Sequence, residues 1–141
     1  CTTYEQSKRL LNMGIRSDTA DMYLEKCSLP EAGDYYQNTL TSGIDPYVWF
    51  NSKINHDIIP AWSLSRLLEI IPDTIPDSKP GFEPYHPKLI KDDSGYILSL
   101  QRTSYDCLVG THIEDSPIEC CISIIQWLIE QNLINKEYLK W

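Results

Sequence analysis

Two hydrophobic rhythms alternate along this 141-residue chain. Near the start, Leu10, Leu11 and Ile15 lie behind "TTYEQSKR", where Thr3 followed by Gln6 fits a capping box, as does Thr2 with Glu5. The spacing predicts a helix running to Met13, with Gly14 ending it in the left-handed conformation. A second short helix is predicted from Ser17 or Asp18, carrying Ala20, Met22, Tyr23 and Leu24. From Ser28 to Pro60 the rhythm weakens into turn residues and clustered aromatics. A short strand is suggested around Tyr47 to Phe50, within either an irregular layer pinned by aromatics or a mobile binding segment.

Periodicity then returns. "PAWSLSRLLEIIP" is a bounded helix: Ser63 is the N-cap, Leu64, Leu67, Leu68 and Ile71 share a side, and Pro72 closes it. A Pro- and Asp-rich connector follows. "KLIKDDSGYILSLQRTSYDCLVGTHI" switches to period two and reads as three strands joined by turns, the first at Asp92 to Gly95. Tyr96, Leu98 and Leu100 fall on one face of the middle strand, and Cys107, Val109 and Ile113 on one face of the third. In the last helix Ser116 is the N-cap, Pro117 the first position, and Glu119 is placed for a capping box. Ile118, Cys121, Ile122, Ile125, Leu128 and Ile129 form one broad apolar stripe. Cys120, Ile124 and Trp127 form a flanking ridge, to be covered by the N-terminal helices or by a partner subunit.

These elements predict an α+β protein, a single domain over 1–141: a small antiparallel β-meander packed on a C-terminal helix, with additional N-terminal helices. No apolar run approaches the ~20 residues of a membrane span, and the polar opening is unlike a signal peptide. The net charge of −8 repels phosphate backbones, which disfavours nucleic-acid binding. An acidic start to the second predicted helix likewise argues against a DNA-reading helix-turn-helix. The five cysteines, Cys1, Cys27, Cys107, Cys120 and Cys121, make a poor disulfide framework, being odd in number with two adjacent. Reduced thiols and a cytoplasmic setting are expected.

Recognisable catalytic chemistry is sparse. There is no Cys-x-x-Cys and no His-x-x-x-His, and His56, His86 and His112 are far apart, so no metal and no cofactor are expected. Cys120 lies in the first turn of its helix, where the dipole favours a thiolate, but Glu119 opposes this and a packed thiol is the better account. "HIED", from His112 to Asp115, suits either a small polar site or ordinary capping. Arg102, Tyr105 and His112 are the polar residues of the meander least explained by folding, and they nominate a face for a ligand or partner. Trp49, with Tyr47, Phe50 and Trp62, is core if buried and an anchor if exposed. Trp127 is the candidate contact of the ridge.

Three segments, "RLLNMGIRSDTADMY", "PAWSLSRLLEIIP" and "ECCISIIQWLIEQNLI", resemble a family of small uncharacterised proteins encoded by phages and mobile elements of gut bacteria. The match covers both ends and the middle but not 31–59. The family has no known activity, so no residue role carries over. The resemblance implies a bacterial or phage cytoplasmic setting and an accessory role. The expectation is therefore a non-enzymatic protein that binds a host protein or a small ligand. Structural self-association as a homo-oligomer is the alternative, and an enzyme without a recognisable motif comes third.

Overall fold

A computed structural model describes residues 1–31, 33–40, 58–103 and 106–140. The chain forms two compact units, one from 1–66 with 137–141 and one from 67–136. The α+β class holds, and each unit carries one three-stranded antiparallel sheet among the described residues.

The first unit opens with α1 (Tyr4–Asn12), capped reciprocally by Thr3 and Gln6 as the sequence predicts. Gly14 follows at φ 100°, in the left-handed region that ends the helix. Thr2 is buried; its Oγ1 accepts the Trp62 amide at 3.0 Å and shares a hydrogen bond with Ser7 Oγ at 2.8 Å. The predicted second helix is not formed. Ser17–Thr19 makes a single 3₁₀ turn, Ala20 is already extended, and β1 (Met22–Leu29) begins. β1 is the central strand, between β2 (Gly33–Leu40) and β3 (Ile58–Ala61). Pairing Met22 with both Leu40 and Ala61 satisfies backbone groups on both sides, so partners distant in sequence override the local helical spacing. The weak-pattern region thus contributes two strands; the strand suggested at Tyr47 to Phe50 lies outside the described residues.

Trp62 is fully buried and its indole N–H donates to Thr19 Oγ1 at 3.0 Å, so its polar edge is satisfied. α2 (Leu64–Ile70) starts at the predicted cap: Ser63 Oγ accepts the Arg66 amide, while Asp21 accepts from both the amide and the hydroxyl of Ser63. Residues 138–140 return to the first unit, where the Arg16 amide donates to Tyr138 O at 2.9 Å and the Lys140 amide to Gly14 O at 2.8 Å.

The second unit is the predicted meander and helix. β4 (His86–Asp92), β5 (Gly95–Thr103) and β6 (Asp106–Gly110) pair in sequence order. In the first turn Asp92 Oδ1 accepts the Ser94 amide, and Gly95 takes φ 137°. β6 stops at Gly110, earlier than the sequence suggests, so Ile113 does not share a strand face with Cys107 and Val109; it is exposed, as is His112. The chain there turns back to bond Tyr96 through Glu114, at 2.8 and 3.0 Å. α3 (Pro117–Glu130) packs on β5, and Cys120, Cys121, Ile122, Ile124, Ile125 and Leu128 are buried. Its cap is made by Ser116 Oγ to the Ile118 amide.

Candidate functional site

Arg102 is the best-placed of the nominated residues, and its Nε and Nη1 are engaged within the chain. The β5–β6 register shifts around it and leave Arg102 and Leu108 without cross-strand partners. Such bulges re-aim side chains. Arg102 Nε donates to Asp106, and Nη1 donates to Asp77 at 2.6 Å and to Glu83 O at 3.3 Å. The guanidinium also lies over the rings of Tyr85 and Phe82, 4.8 and 5.0 Å from their centroids. Its carboxylate partners, Asp106 foremost, hold its pKa above the ordinary value. Asp77 is in turn held below the usual carboxylate range, first by the Lys79 amide and then by Arg102. This arrangement ties the 77–85 connector to the meander. One positive charge meets two negative ones, so Arg102 offers no uncompensated positive charge to a ligand.

A cleft of about 380 Å³ does adjoin it, lined by His86, Pro87, Lys88, Gln101, Arg102 and Thr103. Leu98 and Leu100 are fully buried, so strand alternation turns Ser99 and Gln101 to the opposite, outer face. The register places Lys88 beside Ser99 and His86 beside Gln101. His86 and Lys88 are exposed, and Ile90 at 40% continues their row. Because the Asp73 carbonyl can only accept, His86 Nδ1 carries a proton toward it at 3.1 Å, leaving Nε2 for other contacts. Lys88 forms no ion pair with the described residues. These cleft residues were missed in the sequence nomination, although the His-x-Lys-x-Ile alternation of β4 places them on one face.

Of the remaining nominees, the two within the described residues, His112 and Trp127, do not line this cleft. His112 is exposed past the end of β6 and is not among the residues lining this cleft. Tyr105 and Trp49 lie outside the described residues. Trp127 is half-buried, and its ridge neighbours Cys120 and Ile124 are buried within the chain, so the ridge is not an open contact face. Cys120 Sγ donates to Tyr96 O at 3.3 Å, and burial pushes the Cys121 thiol up to about 12. Both act as packed apolar groups. The described thiols Cys1, Cys107, Cys120 and Cys121 are unbridged.

In the first unit, two adjoining hollows of about 330 and 370 Å³ share Arg16 and Asp18. Arg16 is paired with Asp18 and donates to Glu137 O at 3.1 Å, so its charge too is compensated. Among the described residues no group of three or more His, Cys, Asp or Glu side chains is placed to hold a metal ion, and no helix is long and apolar enough to cross a membrane. Comparison of the chain with protein-family models, with curated proteins and with solved structures finds no match.

Proposed function

We propose that this protein is a non-enzymatic accessory factor that works by binding, and that the outer face of the β4–β5–β6 meander is its binding surface. The observation that carries this reading is the cleft of about 380 Å³ on that face, bounded by exposed His86 and Lys88, with exposed Ile90 continuing their row. Its volume falls within the usual range for small-ligand sites, roughly 300–1,000 Å³. A setting in a phage or mobile element, in the bacterial cytoplasm, rests on the sequence resemblance of both ends and the middle of the chain. A host protein or a small ligand is the partner, and the net charge of −8 weighs against nucleic acid.

Screening a library of small metabolites and peptides by backbone amide NMR tests the surface. Binding should move the amides of Lys88, Ile90, Ile97, Ser99 and Gln101. Binding that instead moves only Arg16 to Thr19 and Tyr138 to Lys140 would overturn the assignment.

A further inference from the structure

We propose that the loop 76–84 is a latch: Asp77 holds the place of a small carboxylate ligand on Arg102, and the loop opens when such a ligand takes that place. This deepens the reading above and rests on it, because Arg102 lines the same cleft. The loop is closed at its base by two backbone bonds between Ile75 and Tyr85, at 2.9 and 2.8 Å. Both of those residues are buried. Between them only Asp77 and Pro84 are not exposed, and Phe82 is 55% exposed. Gly81 takes φ 89°, and a Cβ there would meet nothing within 4 Å, so the tip stands clear of the sheet.

The polar contacts of this loop converge on one side chain. Among the described residues, every hydrogen bond, ion pair and ring contact that leaves 76–84 ends on Arg102. They come from the Asp77 carboxylate, the Glu83 carbonyl and the Phe82 ring. The Lys79 amide donates to Asp77 within the loop at 2.9 Å and orients the carboxylate. A segment so exposed, with so few anchors, opens locally at low cost while its buried base stays in place.

Charge identifies the ligand. A guanidinium fork receives a carboxylate as it receives Asp77. Asp106 remains on Nε, so exchanging Asp77 for a carboxylate monoanion keeps the charge balance of the closed loop. A phosphate dianion would add a further charge beside Asp106, on a chain that carries −8. The cleft beside Arg102 accommodates the remainder of a small molecule. Asp77 competes from within the chain, so the apparent affinity is set by the fraction of molecules with the loop open.

The test titrates benzoate into the full chain at constant ionic strength and reads backbone amides by NMR. Benzamide serves as the neutral isostere and inorganic phosphate as the dianion. A glutamate-containing peptide blocked at both ends is the macromolecular source of a carboxylate. Benzoate should shift Arg102 and Thr103 together with Lys79, Gly81 and Phe82, and benzamide should not. Asp77→Asn removes the internal competitor and should tighten benzoate binding about fivefold. Phe82→Ala removes one ring from the guanidinium and should tighten it about twofold. Glu83→Gln removes the same charge from the loop but keeps the carbonyl on Arg102, and should leave the affinity unchanged. Unchanged or weaker binding in Asp77→Asn, or in Phe82→Ala should the first variant not fold, would overturn the latch. Equal tightening in Glu83→Gln and Asp77→Asn would overturn it too, since charge alone would then explain the effect. Benzamide binding as tightly as benzoate, phosphate binding more tightly, or the peptide binding where benzoate does not, would overturn the ligand class. If benzoate binds neither the parent nor Asp77→Asn while another library ligand shifts Lys88, Ile90 and Ser99, the latch falls and the binding surface stands. Shifts confined to Arg16 to Thr19 and Tyr138 to Lys140 would sink both.

Discussion

A guanidinium gripped by two carboxylates and two rings has a different role from a free surface cation. Arg102 holds Asp77 and Asp106 while lying against Tyr85 and Phe82, and its fork of donors lets one side chain do all of this. Lysine has no such fork, so Arg102→Lys should lower the melting temperature despite keeping the charge. Asp77 gives the arrangement a pH dependence. Its folded pKa is depressed below 3.8, so its contribution is complete above the ordinary carboxylate value and is lost as pH falls through the lower, folded value. Acid melts should therefore show a loss of stability below about pH 4 that Asp77→Asn lacks. Identical acid profiles for the two proteins would contradict this. The sequence marked Arg102 as unusual but not why, because Asp77 stands 25 positions away in a stretch without rhythm.

At the scale of elements, legibility followed the range of the interactions. α1, α2 and α3 are capped by residues within three positions, so Thr3, Ser63 and Ser116 announce them locally. The meander declares itself through Gly95 and the alternation about Leu98 and Leu100. β1 does not: Ala20, Met22, Tyr23 and Leu24 satisfy a helical spacing, and only pairing with Leu40 and Ala61 makes that stretch extended. The Pro30 and Gly33 turn, with Gly33 at φ 76°, was the available signal for the β1–β2 hairpin. α3 offers the sharpest energetic test. Ile125 is fully buried in the middle of the stripe, with Ile122 and Leu128 buried on either side. Ile125→Ala should cost about 2–5 kcal/mol, measured by denaturant melts. A variant as stable as the parent would show that the stripe is not the packed face.

For the molecule as a whole, chain order and spatial order differ. The second unit is continuous from 67 to 136, whereas the first needs 137–141 to complete it. The Gly14 carbonyl and the Arg16 amide wait for Lys140 and Tyr138, more than 120 positions away. During synthesis, then, the segment made later has all its own partners first. The segment made first stays open at one edge until translation has passed the other unit. A chain halted at residue 136 should protect the β4–β5 amides from hydrogen exchange while leaving Arg16 to exchange freely. Protection of Arg16 in that halted chain would mean that the returning strap is dispensable. Until residues 138–140 have emerged from the ribosome, the first unit lacks these backbone bonds, and the timing of translation becomes part of how it folds.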